Sequence, residues 1–347
     1  MTFSTAHSFA FGIATKNSND EIIEVFYPKP LINPEAKLIE LTAASVEKTD
    51  SENATVEVSK VSLPQLFQQL EEAGYSEQAQ LIQKFSYDQQ VIVACFVFED
   101  SKPQSIAEVF LKLHLLSHRL ALPNSLNLEG AFSVLRNLAW TNVGPIELEE
   151  LAEQQLQYRL AGKLLEVQSV DKFPKMTNYV VPPGVRIAHT ARVRLGAYIG
   201  EGTTVMHEGF VNFNAGSAGA AMIEGRISAS VMVGKGSDLG GGCSIMGTLS
   251  GGGTQVITIG ENCLVGANAG IGFPLGDRCI IEAGLYVTAG TKVNVIAQDK
   301  SLIKTVKAKE LSGESDLLFR RNSLTGAVEC IPNKTKFSLN EDLHTNN

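Results

Sequence analysis

The stretch AAMIEGRIS (residues 220–228) sets a carboxylate, Glu224, two positions from a guanidinium, Arg226, among small and aliphatic residues. A charge in such a setting is costly to desolvate unless it is paired or used. Two readings follow from the residue types. Either Arg226 and solvent pair Glu224 as a structural element, or Glu224 sits in a cleft to move a proton. Residue type leaves both open. Other groups with chemical potential are His114 and His118, four apart, and His189 and His207, eighteen apart. Cys243 and Cys263 supply thiols, and Gly251, Gly252 and Gly253 could present backbone N–H groups to an anion or carbonyl oxygen. The run FRRNS (319–323) is basic, and on its own reads as a solvated turn.

A six-residue period positions most of these residues. Ile187, Val193, Ile199, Val205 and Val211 stand six apart, and Ile223 rejoins the phase two steps later. Further registers run Ile227, Val233, Leu239, Ile245; then Ile259, Val265, Ile271; then Leu275, Ile281, Val287, Val293. Small residues recur four positions after the anchors, at Ala197, Thr203, Gly209, Ala215, Ser237, Cys243, Cys263 and Ala269. Helices repeat every 3.6 residues and ordinary strands every two, so sixes predict a parallel β-helix with three short strands per coil. Its narrow interior calls for small inward residues, which makes Cys243 and Cys263 packing groups rather than nucleophiles. His189 and His207 are one coil apart and stack on one edge, a geometry that could hold a metal, although a solvated or interface pair is expected. The repeat breaks at NFNAGSAGAAMIEGRIS, at GTLSGGGTQV and after Val293, and solenoids tend to carry function at such interruptions.

The first part of the chain reads as mixed α/β. EIIEVFYP and QQVIVACFVFED predict strands. LPQLFQQLEEAGYSEQAQLIQKFS, SIAEVFLKLHLLSHRLAL and IELEELAEQQLQYRLAGKLLEV predict amphipathic helices. His114 and His118 fall on the second of these, with no carboxylate to complete a metal site, so packing is expected. The domains are placed at 1–110 (α/β), 111–178 (helical connection), 179–298 (β-helix) and 299–347 (a C-terminal segment with a β-hairpin). A net charge of −8 over 347 residues argues against nucleic acid or an anionic membrane as main partner. The opening MTFSTAHSFAFGIATKNS lacks a cationic start and an uninterrupted apolar core, and the five cysteines form no CxxC pair. A cytoplasmic protein with reduced thiols is expected.

GEGTTVMHEGFVNFNAG, GRIS, GSDLGGGCSIMGTLSGGG, GANAGIG, EAGLYVTAGTKV and LLFRRNS closely resemble the tetrahydrodipicolinate N-succinyltransferases of the longer, three-domain bacterial type. The likeness runs from about residue 111 to the end, and more loosely through the first hundred residues. It implies an α/β N-terminal domain, a left-handed parallel β-helix of hexapeptide repeats and a small C-terminal β segment. It also implies a homotrimer with active sites in clefts between subunits. The implied reaction is succinyl transfer from succinyl-CoA to the amine of opened tetrahydrodipicolinate, an early step towards diaminopimelate and lysine.

The same resemblance makes Glu224 the catalytic carboxylate, as general base or as a nucleophile forming an acyl anhydride. In either role the thioester oxygen gains negative charge and needs a donor; backbone N–H near Gly247 is the candidate, a plain corner residue being the other reading of that glycine. Succinyl-CoA contacts are implied at Arg226, Gly241, Ser244, Ala267, Glu282, Ala283, Gly290, Lys307, Arg320, Arg321, Asn322 and Ser323. Arg226 could grip the succinyl carboxylate, while Lys307, Arg320 and Arg321 could meet CoA phosphates. Some relatives hold a divalent cation on the trimer axis through the carboxylate of MHEG and an aspartate one coil earlier. Here Glu208 keeps the first, but Ala191 stands at the second, so three copies of Glu208 would have to gather round a magnesium ion. Rival readings on this scaffold are a γ-type carbonic anhydrase, an acetyl-CoA-dependent acyltransferase using His207, and a non-catalytic scaffold. The first needs three histidines, and the repeat offers two.

Overall fold

The computed structural model describes residues 3–85, 90–249 and 255–333. The chain divides into two compact units. One takes in residues 1–121, 125–174 and 178–180, and the other residues 122–124, 175–177 and 181–347.

The first unit is built on an antiparallel sheet of β1 (Ser8–Lys16), β2 (Ile22–Phe26), β3 (Leu31–Ile32), β4 (Ala54–Glu57) and β5 (Val91–Val97). Its order is β2-β1-β5-β4, with β3 also paired to β1. β1 reads SFAFGIATK, a nearly unbroken apolar run, because both faces of a central strand are covered. Sequence patterning missed it. The helices are α1 (Ala36–Ser45), α2 (Leu63–Glu72), α3 (Ser76–Phe85) and α4 (Ile106–Ser117). α2 and α3 were expected as one helix, but Gly74 adopts φ +86° between them and ends the first. Their buried residues Leu66, Leu70 and Ile82 join Phe9, Phe11 and Phe96 of the sheet in one core. α4 starts at an N-cap, Ser105, whose hydroxyl accepts from Glu108 N–H at 3.2 Å.

His114 on α4 packs as expected. One ring nitrogen lies 2.7 Å from Phe110 O and the other accepts from Tyr27 N–H at 3.2 Å. Residues 111–178 hold more than helices. Besides α5 (Ala131–Val134) and α6 (Leu148–Leu160), they form a sheet of β6 (Leu138–Thr141), β7 (Gly144–Glu147) and β8 (Val167–Asp171). α6 buries none of its residues, so its apolar pattern meets no core among the described residues.

The second unit is a parallel β-helix with three faces. Face one stacks Ile187, Val205, Ile223, Leu239, Val265 and Ile281. Face two stacks Val193, Val211, Ile227, Ile245, Ile271 and Val287. Face three stacks Ile199, Ser217, Val233, Ile259 and Leu275. Thus every hexad anchor from Val193 to Val287 finds its place in a ladder. Ser217 replaces an aliphatic anchor on face three, and its buried hydroxyl is satisfied by Thr203 Oγ1 at 2.8 Å.

The phase slip has a geometric cause. From Val205 to Ile223 a coil takes eighteen residues, but from Ile223 to Leu239 it takes sixteen. The side from Ile223 to Ile227 is cut to four residues, and its corner is Glu224–Gly225. A β-carbon on Gly225 would lie 2.3 Å from Cys243 Sγ and 2.6 Å from Cys243 O, so the tight corner requires glycine. Cys243 and Cys263 are fully inside, as the small-residue pattern predicted, and burial pushes the Cys243 thiol up to about 12.

After Val287 the triangular coil gives way to hairpins. Lys292–Ile296 pairs antiparallel with Leu302–Lys307, and Leu317–Arg321 with Val328–Pro332. Leu317–Arg321 also extends face one, laying Phe319 beside Ile281.

Candidate functional site

Face two is bounded by two edges, and the expected site residues gather on both. On the edge between faces one and two, backbone bonds set Met206, Glu224, Gly240, Gly266 and Glu282 in one column, each N–H reaching the next coil. Beside it run Gly225, Gly241, Ala267 and Ala283. Glu224 and Glu282 therefore bracket a floor of small residues, about 14 Å long at the usual strand spacing. A β-carbon on Gly241 would stand 3.6 Å from Glu224 Oε2, so glycine there leaves the carboxylate oxygen uncovered. Gly242 and Asn268 take φ of +71° and +56° at the matching corner position, which explains an asparagine where glycine recurs.

Glu224 is half-buried, and among the described residues its carboxylate makes no hydrogen bond or ion pair. The structural pairing with Arg226 is not formed. Arg226 instead turns to the neighbouring strand, donating to Ser244 Oγ from Nε at 3.1 Å and from Nη2 at 2.5 Å. Arg226 and Ser244 are partners in the same ladder, so the guanidinium is aimed along face two. An uncovered, partnerless carboxylate suits a group that exchanges a proton more than one that holds a corner together.

The basic C-terminal run is divided by its hairpin. Arg320 stands opposite Glu329 and donates to its Oε2 from Nε at 3.0 Å and Nη2 at 2.9 Å. Asn322 donates to Glu329 Oε1 at 2.7 Å, and its own Oδ1 accepts from Leu324 and Thr325 N–H. These contacts, Asn322 first, hold the Glu329 carboxyl below its usual range. Arg320 is thus neutralised within the chain. Among the described residues the Arg321 guanidinium donates to a carbonyl alone, Gly326 O, from Nη1 at 3.0 Å, and no carboxylate pairs with it. Glu282 accepts from Arg321 N–H at 2.7 Å, so it anchors the hairpin to the edge. Ser323 lies exposed in the turn. Glu329 was missed by sequence reading, although the hairpin register that faces it to Arg320 could have revealed it.

The other edge, between faces two and three, carries Gly247, Gly290 and, through Ala308 N–H to Thr291 O, Lys307. The Gly247 N–H has no partner among the described residues, while its carbonyl accepts from Ile257 N–H at 3.2 Å at the base of the excursion. Gly251, Gly252 and Gly253 lie outside the described residues. A β-carbon on Gly290 would meet nothing within 4 Å, so the space above it is open. Within one chain, Glu224 and Gly247 stand on different edges and are not brought together.

His189, His207, Glu208 and Ala191 are exposed on the edge that carries Glu224. Among the described residues no group of three His, Cys, Asp or Glu could hold a metal ion. Next to Glu208, the Arg192 guanidinium already donates to Glu208 O and Gly209 O. With a guanidinium at hand and Ala191 offering no ligand, the residues of this chain do not fit a magnesium site, and no step is routed through one.

The hexapeptide coil, with an N-terminal domain, is that of a β-helix acyltransferase fold. Comparisons make that specific. The description Tetrahydrodipicolinate N-succinyltransferase N-terminal matches residues 62–133, the corresponding middle region matches 135–175, and Hexapeptide repeat of succinyl-transferase matches 256–289. The chain is 59% identical over 340 residues to the 2,3,4,5-tetrahydropyridine-2,6-dicarboxylate N-succinyltransferase of Pseudomonas paraeruginosa, covering 98% of each. It is 54% identical to that of Vibrio cholerae, covering 98% of this chain and 99% of the relative. A Campylobacter jejuni crystal structure described as a 2,3,4,5-tetrahydropyridine-2-carboxylate N-succinyltransferase superposes with a TM-score of 0.89 at 31% identity, over 96% of this chain and 94% of the other. The chain belongs to the 2,3,4,5-tetrahydropyridine-2,6-dicarboxylate N-succinyltransferase family.

Proposed function

We propose that the chain transfers the succinyl group of succinyl-CoA to the amine of opened tetrahydrodipicolinate, giving N-succinyl-2-amino-6-oxopimelate and CoA. This is the succinylase step of diaminopimelate and lysine biosynthesis. The observation that carries the site assignment is the half-buried Glu224, its carboxylate without a partner among the described residues, beside a floor of small residues. The amine nitrogen attacks the thioester carbon, and Glu224 takes the proton as the C–N bond forms. Negative charge on the thioester oxygen meets the open N–H of Gly247. The C–S bond then breaks, and the thiolate leaves with a proton returned from Glu224. Arg226, aligned by Ser244, reads the succinyl carboxylate. Gly241, Ala267, Ala283 and Gly290 leave a channel for the slender pantetheine arm, and Lys307 and Arg321 meet the CoA phosphates. Glu282, Arg320, Asn322 and Ser323 shape the hairpin that presents Arg321.

Because Glu224 and Gly247 occupy different edges of one chain, each site is assigned to two copies, in a homotrimer whose coils wind left-handed as in the family it resembles. Five buried, unpaired cysteines favour a reducing cytoplasm. No helix among the described residues is long and apolar enough to cross a membrane. The reading is tested by thiol release from a panel of acyl-CoA donors and amine acceptors. Release is expected only with succinyl-CoA plus tetrahydrodipicolinate or its analogue 2-aminopimelate. Faster release with acetyl-CoA would overturn the succinyl assignment, and a burst of CoA before any amine is added would replace the general base by an acyl anhydride.

A further inference from the structure

The first unit contains a cavity that acyl transfer leaves unused. It measures about 390 Å³ and is lined by Glu24, Phe26, Trp140 and Tyr179, with the exposed Gln168 and Asn178 among its walls. Glu24 stands on β2 opposite Thr15 of β1 and is 7% exposed. Its carboxylate accepts from Thr15 Oγ1 at 2.6 Å and from Tyr179 OH at 2.8 Å. Both donors are neutral. Among the described residues no Lys, Arg or His pairs with Glu24, and none lines the cavity.

A carboxylate can accept about four hydrogen bonds, so two hydroxyls leave it half satisfied. A buried carboxylate without a counter-charge is costly, and burial accordingly holds this carboxyl above its usual range. Phe26, Trp140 and Tyr179 contribute aromatic rings, which attract cations. The amide oxygens of Gln168 and Asn178 add acceptors, which favour a ligand with several N–H donors over a quaternary ammonium. An anion would be repelled, and a neutral ligand would leave the charge of Glu24 unanswered. The volume suits a small molecule.

We infer that this cavity binds a small organic cation bearing a primary ammonium group, with Glu24 as counter-charge and Phe26, Trp140 and Tyr179 as walls. The chain has one tryptophan, so Trp140 emission reports on this cavity alone. The full chain is titrated with n-butylammonium chloride, and with n-butanol and sodium butyrate at matched ionic strength. A saturable change in Trp140 emission is expected with n-butylammonium only, with a Kd on the order of millimolar. Glu24→Gln removes the charge while its amide oxygen accepts from one of the Thr15 and Tyr179 hydroxyls and its NH2 donates to the other, and it is expected to weaken binding at least about tenfold. Since Glu24 is buried, Gln168→Ala at an exposed position serves as a second variant, with weaker binding at an unchanged Tm. No saturable response to n-butylammonium, an equal response to n-butanol, or undiminished binding in both variants would overturn the inference.

Discussion

Glu224 holds its position through its backbone, whose N–H donates to Leu239 O and whose carbonyl accepts from Gly242 N–H, so its side chain is free to serve chemistry. Glu224→Gln preserves that corner and removes the proposed proton acceptor. Its kcat is expected to fall about a hundredfold or more at unchanged Tm, measured by steady-state thiol release. The two adjacent arginines separate in the same assay. Arg321→Ala is expected to raise the KM for succinyl-CoA several-fold more than Arg320→Ala, because Arg320 already spends its charge on Glu329. Loss of Arg320 would show instead as a lower Tm. Sequence made Glu224 visible as a charge out of place, yet could not say whether Arg226 pairs with it. That depended on which strand partner lies beside Arg226, and the shortened side decides it by bringing Ser244 into register.

At the level of elements, the hexad period carried nearly all of the β-helix, since each inward position admits one kind of side chain. The strand β1 and the break at Gly74 were less legible. A central strand has no alternation to read, and one left-handed glycine can be spanned by an apolar pattern that continues past it. Gly225→Ala tests the short corner. The added methyl meets the backbone of Cys243, which cannot retreat, and a loss of about 1–3 kcal/mol is expected in denaturant unfolding. Acid stability tests α4. Burial lowers His114 to about 3, while an unfolded chain protonates it near its ordinary value of 6.5. The folded pKa is the lower one, so the stability of neutral His114 is complete above about pH 6.5 and lost as pH falls towards 3. The first unit is expected to melt at progressively lower temperature across that window, and His114→Gln to flatten the slope. A slope unchanged by the substitution would remove His114 as its cause.

Across the whole molecule, the same sequence pattern that builds three faces also separates the groups proposed to act together. Glu224, the glycine floor and Arg321 belong to one edge of face two, and Gly247, Gly290 and Lys307 to the other. On the proposed reading the site needs a second copy to close, and a solution mass near 112 kDa is expected, three times the 37.3 kDa chain. Periodicity could place each residue on its edge, but which edges meet depends on packing between copies, and a single chain's spacing does not encode it.

Subunit complementation tests this most directly. Glu224→Gln disables one edge, and Gly290→Leu adds bulk on the other, where a β-carbon would meet nothing within 4 Å. Each variant alone is expected to be nearly inactive. Co-expressed, they form mixed assemblies in which some sites draw an intact Glu224 from one copy and an intact Gly290 from its neighbour, restoring up to about a quarter of wild-type thiol release. Mixed assemblies that stay as inactive as either parent would contradict a site shared between two chains.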